Sequence, residues 1–167
     1  MAALTSEDIL DALKQQFPFD ISFAESYGML TIEAPREHII DVLRFLKEDE
    51  RMGYAFLTDI CGIHIPADVN KELGVIYHLH NWRENRRIRV KTFTRIGDPK
   101  VDTATVLWSG ANWMERETFD FYGIEFTGHP NMTRILNVED MNYHPLLKQY
   151  HLEDATRTDK DDRFFGR

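Results

Sequence analysis

The sequence predicts an α/β (α+β) domain of two layers, a mixed and largely antiparallel sheet with flanking helices. Three observations carry this. Three stretches repeat apolar residues at helical spacing, and five others read as strands. Their order is helix, two strands, helix, three strands, helix, which suits helices laid against one sheet. The expected division of the 167 residues is a single domain over 1–152 and an extended polar C-terminal tail over 153–167. A chain of this length buries roughly 70% of its unfolded surface, enough for a core.

SEDILDALKQQF reads as the first helix. Thr5 or Ser6 can cap it, and acids fill its first turn, where the helix dipole favours them. Ile9, Leu10, Leu13 and Phe17 form its stripe, and Pro18 ends it. DISFAES and GMLTIEA follow as short strands with Tyr27-Gly28 near the turn. PREHIIDVLRFLKEDE reads as the second helix. Pro35 suits its first turn, and Ile39, Val42, Leu43 and Leu46 face the core.

YAFLTDICGIHI is a long strand with a bend expected at Gly62. LGVIYHLHNW and RRIRVKTF form an antiparallel hairpin across Glu84 and Asn85. Strand alternation puts Ile88 and Val90 on one side, with Arg87, Arg89 and Lys91 on the other. DPKVDT reads as a turn or loop. A third helix should run from about Ala111 to Tyr122 and end at Gly123. His129-Pro130 and His144-Pro145 then mark extended or turning backbone, because proline disfavours a helical residue before it. Phe164 and Phe165 near the end of the polar tail fit docking on another surface, or packing back on the domain.

Composition excludes several functions. At 43% hydrophobic and 29% charged residues, the chain has the balance of a soluble globular protein. No run approaches the ~20 apolar residues of a membrane helix. MAALTSEDILDAL has acids where a signal peptide needs bases, so the chain is expected to stay in the cytoplasm. Cys61 is the only cysteine, which rules out an internal disulfide and any site built on several cysteines. No G-x-G-x-x-G or Walker motif occurs, so no nucleotide or flavin is expected by those routes. A net charge of −8 argues against nucleic acid. Residues 1–50 hold 11 acids and 4 bases, whereas residues 83–95 hold 6 bases and 1 acid. One basic stripe on an acidic chain suits an anionic protein surface better than nucleic acid, although Trp82 and Phe93 could stack bases beside Arg87, Arg89, Lys91 and Arg95.

Other chemistry is weakly signalled. His78 and His80 lie two apart on a strand and share a face, with His64 the nearest further histidine. A metal site needs more ligands than two, so packed or surface histidines are the preferred reading, and no metal is expected. Cys61 lies in an apolar strand with no helix N-terminus to activate it, so burial is preferred to nucleophilic catalysis.

The densest stretch is WMERETFDFYGIEFTGHP, residues 113–130. Its carboxylates could form an acid/base pair, with His129 nearby, as in a hydrolase. Helical geometry opposes this. At ~100° per residue, Glu115 and Glu117 lie ~200° apart. Arg116 and Asp120 are spaced i, i+4 for a salt bridge. Glu117 and Asp120 share a flank with Trp113. The helix is apolar on several sides, so it should be covered on several sides, and its charges then need partners. A pinned charge network is the better reading. No catalytic residue is expected.

This stretch resembles the signature of the C-type subunit of bacterial respiratory complex I, the proton-pumping NADH:quinone oxidoreductase. The matching residues are Trp113, Glu115, Arg116, Glu117, Asp120, Phe121, Tyr122, Gly123, Ile124, Phe126, Gly128, His129, Pro130 and Arg134. YHLHNWRENRRIRVK, TDICGI and VLWSGANW extend the likeness upstream, and VEDMNYHPLLK downstream, over about residues 54–150. Met141, Tyr143, Leu147, Gln149, Asn131 and Thr133 depart from the usual family residues.

The resemblance implies a two-layer α/β fold and a non-catalytic structural subunit of the peripheral arm. It implies no cofactor on this chain, with iron–sulfur clusters, FMN and quinone on partner subunits. The chief partner would be the D-type subunit of the complex, beside the quinone site, with the B-type and I-type subunits as further neighbours. The location would be the cytoplasmic face of the bacterial inner membrane, with membrane association only through the complex. An equivalent subunit of a membrane-bound hydrogenase or ferredoxin-linked complex is the alternative. Hydrogen bonds from Glu115, Arg116, Glu117, Asp120 and Arg134 are expected to order the helix and the loop after it.

Overall fold

A computed structural model describes residues 4–151. The tail expected over 153–167, with Phe164 and Phe165, lies outside the described residues.

Helix α1 spans Ser6–Gln16. Thr5 is its cap: the hydroxyl accepts from the Asp8 amide while the Asp8 carboxylate accepts from the Thr5 amide. Strands β1 (Ser22–Ser26) and β2 (Met29–Glu33) form a hairpin. Tyr27 and Gly28 both take positive φ, 53° and 70°, the twist a two-residue hairpin turn needs. The second predicted helix begins differently. Arg36–His38 form a 3₁₀ turn, and α2 proper runs Ile39–Glu48. No side chain caps either start, and the entry to the helix tightens to i→i+3 bonds. Ile39, Val42, Leu43 and Leu46 are fully buried, as their spacing requires.

Strands β3 (Phe56–His64), β4 (Leu73–Asn81) and β5 (Arg86–Thr94) complete a sheet of order β1-β2-β5-β4-β3. Only β2 and β5 pair in parallel, so the sheet is mixed and mainly antiparallel. Ile88 and Val90 are buried, while Arg87, Arg89 and Lys91 take the opposite face. The bend expected at Gly62 is displaced. The register breaks between Leu57 and Asp59, and Gly62 pairs regularly with Val75. The glycine serves a close approach instead, because a Cβ there would overlap the Tyr122 ring.

Beyond β5 the predicted loop DPKVDT contains strand β6, Lys100–Asp102. After α3 (Ala111–Tyr122) comes β7, Glu125–Thr127, which pairs in parallel with β6. Three residues are too few to display a period of two, so no pattern announces either strand. Residues of α1, α2, α3, β6 and β7 join the inward face of the sheet in one apolar cluster.

Candidate functional site

Helix α3 ends where the sequence says it should. Gly123 takes φ 77° and its amide bonds the Phe119 carbonyl. A side chain at Gly123 would strike His144, whose ring would lie 2.7 Å from the added Cβ. So the glycine both ends the helix and seats a histidine from the following segment.

The charges on α3 divide by face. Glu115 is fully buried and Glu117 is exposed, as ~200° of separation demands. Glu115 reaches back to the segment before the helix. Its Oε1 accepts from the Ala104 amide at 2.6 Å and its Oε2 from the Thr103 hydroxyl at 2.5 Å. Burial drives its carboxyl up to about 7, only partly offset by these two donors.

Asp120 is also fully buried and reaches forward. Its carboxylate accepts from five donors: Arg134 Nη1 at 2.6 Å, the amides of Ile135, Leu136 and Asn137, and Asn137 Nδ2. Burial pushes this carboxyl up, but the Asn137 and Leu136 amides, the Arg134 guanidinium and the Asn137 side chain together outweigh it. They hold it well below the usual carboxylate range. Arg134 Nη1 also donates to the carbonyl of Asp120, and Nη2 donates to those of Met141 and Tyr143. One guanidinium thus ties the end of α3 to two later points of the chain. His144 adds a bond from Nδ1 to the Asp120 carbonyl at 3.0 Å and an edge contact with Phe119.

Arg116 does not make the expected salt bridge to Asp120. It donates to the carbonyls of Thr133 and Arg134 and lies over the Trp113 ring at 5.3 Å. An exposed i, i+4 pair is worth only about 0.3–0.5 kcal/mol, and it loses to a buried carboxylate surrounded by loop donors. Glu117 and Trp113 are exposed although Asp120, on the same predicted flank, is buried. Among the described residues Glu117 makes no hydrogen bond, unlike Glu115, Arg116, Asp120 and Arg134. Tyr122 is half-buried against Gly62. His129 accepts the Asn131 amide on Nδ1, which leaves Nε2–H to donate to the Asn112 carbonyl. Pro130 follows it at a bend.

Sequence reasoning missed four participants: Thr103, Ala104, Asn137 and His144. His144 carried a signal, a second His-Pro pair, but nothing in the spacing aimed it at α3. The other candidates disperse. His64 is buried and accepts the Lys148 amide at 2.8 Å, and His80 faces Asn85. Burial first, then the Asp59 carboxylate, push the Cys61 thiol up, which disfavours nucleophilic chemistry. Arg87, Arg89 and Lys91 do share one face, beside Glu33.

This arrangement cannot serve as an acid/base pair. One carboxylate is committed to backbone before the helix and the other to backbone after it. It defines a class instead, a buried polar lock that fixes an irregular segment against a two-layer domain. Residues 32–156 match the family described as the 30 kDa subunit of respiratory-chain NADH dehydrogenase, and the chain belongs to that family. It is 43% identical to a C-type subunit of the NADH-quinone oxidoreductase of Rhizobium meliloti over 126 residues, 75% of this chain and 62% of that one. It is 39% identical to the C-type subunit of the NADH-quinone oxidoreductase of Roseiflexus sp. over 167 residues, 98% of this chain and 95% of the relative. The trypsin-resistant fragment of Nqo5 has the same fold, with a TM-score of 0.63 and 31% identity over 75% of this chain and 97% of the fragment. A chain of an archaeal membrane-bound sulfane sulfur reductase shares the fold at a TM-score of 0.72 and 23% identity, over 87% and 85% of the two chains.

Proposed function

We propose that this chain is a non-catalytic structural subunit in the peripheral arm of a proton-pumping NADH:quinone oxidoreductase. It packs on the D-type subunit beside the quinone site, with the B-type and I-type subunits as further neighbours. It holds no redox group of its own, while the iron–sulfur clusters, FMN and quinone belong to its partners. It sits on the cytoplasmic face of the bacterial inner membrane and reaches the membrane only through the complex. No helix among the described residues is long and apolar enough to cross a bilayer.

The observation that carries the reading is the direction of the signature charges. Glu115, Asp120 and Arg134 all turn onto the chain's own backbone. Trp113, Leu136 and Val138 of the same region remain 61–64% exposed. A rigid lock with an apolar rim is suited to holding a neighbouring chain, and its contribution to turnover is preorganisation.

The test is affinity purification of the tagged chain from solubilised membranes. The D-type and B-type subunits should co-purify, and Trp113→Ala with Leu136→Ser should release them while the chain stays folded. Recovery of the unaltered chain alone would sink the reading. The shared fold with the sulfane sulfur reductase favours one alternative, an equivalent subunit of a related membrane complex. NADH-oxidising subunits among the companions decide against that alternative.

A further inference from the structure

Asp59, Cys61 and His78 bring three different ligand atoms together at the edge of the sheet. Asp59 and Cys61 are two apart on β3 and leave the same face. His78 is the direct partner of Asp59 on β4. The break in register between Leu57 and Asp59 comes immediately before, and such irregularities re-aim side chains. The carboxylate oxygen, the sulfur and an imidazole nitrogen all lie within 4.8 Å of one another. Tetrahedral zinc, with bonds of about 2.0–2.3 Å, sets its ligand atoms roughly 3.3–3.6 Å apart. Modest side-chain rotations close that difference.

His78 supplies the nitrogen. Its Nε2 accepts from Arg89 Nε at 3.3 Å, so the ring is neutral with its proton on Nδ1. Among the described residues that buried Nδ1 has no hydrogen-bond partner, so ligation through it passes the proton to Nε2 and requires Arg89 to withdraw. Glu117 borders the same groove of about 200 Å³ as Asp59 and Cys61, and adds negative charge there. From this geometry we infer that Asp59, Cys61 and His78 form a binding site for a borderline-soft divalent cation, Zn²⁺.

Sulfur and imidazole donors select against Mg²⁺ and Ca²⁺, which prefer oxygen. Binding forms a zinc–sulfur bond and releases the Cys61 proton to solvent. One carboxylate and one thiolate then balance the two charges of the ion. Asp59 is exposed, so the fourth position faces water. Arg89 must give up the imidazole, because a guanidinium beside it competes with the cation. The ion has no redox chemistry of its own. It would tie edge strand β3 to β4 next to α3, which revises the expectation that this chain binds no metal.

The test uses the full chain, stripped with chelator and titrated with Co²⁺ as the optical probe. Wild type should develop a thiolate-to-cobalt charge-transfer band with tetrahedral visible bands, displaced by one equivalent of Zn²⁺. Cys61→Ser should abolish the charge-transfer band. His78→Ala and Asp59→Asn should each weaken Zn²⁺ binding by about a hundredfold or more. Arg89→Gln should tighten it, a result that a generally sticky surface would not give. Alkylation of Cys61 in wild type supplies a readout independent of variant folding, and Zn²⁺ should slow it. Absence of the thiolate band, affinity unchanged in His78→Ala and Asp59→Asn, or alkylation indifferent to Zn²⁺ would overturn the site.

Discussion

Helices α1 and α2 meet the sheet through apolar stripes, whereas α3 is fastened at both ends by buried carboxylates. Ile9 and Leu13 on α1, and Ile39, Val42, Leu43 and Leu46 on α2, are all fully buried. Their attraction is non-directional and grows with area, at roughly 25 cal/mol per Å² of apolar surface. On α3 the buried residues include Glu115, Thr118 and Asp120, and the segment after it has little regular structure to bond itself. An irregular chain cannot satisfy its own amides and carbonyls, so the side chains of Asp120 and Arg134 do so. Repeating elements are held by repeating apolar residues. A non-repeating segment needs individually placed polar ones.

Substitutions can separate the two regimes. The largest effect is expected for Asp120→Ala. It leaves Arg134 buried without its partner and frees three amides, at a cost of about 3–5 kcal/mol. Hydrogen exchange should show the loss concentrated in residues 128–150 rather than spread over the sheet. Wild type carries the same dependence on pH. The folded carboxyl of Asp120 lies below its unfolded value, so its stabilisation is present above about pH 4 and is lost as pH falls further. Acid denaturation of the wild type should therefore begin with the 128–150 segment. Uniform acid unfolding would erase the distinction between the two regimes.

Leu43→Ala tests the other side of the comparison. A cavity at a fully buried leucine costs about 2–5 kcal/mol, and the loss should be global, as one cooperative shift in urea unfolding.

Glu115 gives a slope of opposite sign to that of Asp120. Its folded carboxyl is raised to about 7 from 4.5, so its favourable contribution is complete below pH 4.5 and is lost as pH rises through 7. At ~1.4 kcal/mol per unit the change is about 3 kcal/mol. Glu115→Gln keeps an acceptor for the Ala104 amide and should flatten the stability profile between those pH values. A profile unchanged by the substitution would show that Glu115 does not titrate there.

The smallest expected effect on the isolated chain is that of Glu117→Ala, within about 0.5 kcal/mol for an exposed side chain with no partner among the described residues. Abundance of the assembled complex in membranes should nevertheless fall, because an exposed signature charge is free to meet a neighbouring chain. Normal complex abundance together with lost turnover would count against the assembly role.

Much of the site was readable before the fold was known. Helical arithmetic separated Glu115 from Glu117, and Gly123 marked the helix end, because both depend only on local geometry. The partners were a different matter. Arg116 was the nearest base to Asp120 in sequence, yet Arg134 took the carboxylate. Spacing along a helix ranks only the partners on that helix. It cannot weigh a loop that arrives 14 residues later with three amides pointing the same way.

The cation site shows the same boundary. The two-residue spacing put His78 and His80 on one face, with His64 the nearest further histidine, and packed or surface histidines were the preferred reading. Cross-strand register instead set His78 opposite Asp59 and near Cys61, while His64 bonded Lys148. Register depends not only on the turn but on the irregularity after Leu57 and on the fit of the whole sheet, and that fit is not a local property. The sequence by itself determined the helices, the main strands, the inward faces and the expectation of a charge lock, because periodicity and capping act within a few residues. Only the tertiary structure decided which ions meet, which strand residues face each other and where β6 finds β7, because those pairings join distant segments whose approach is set by packing.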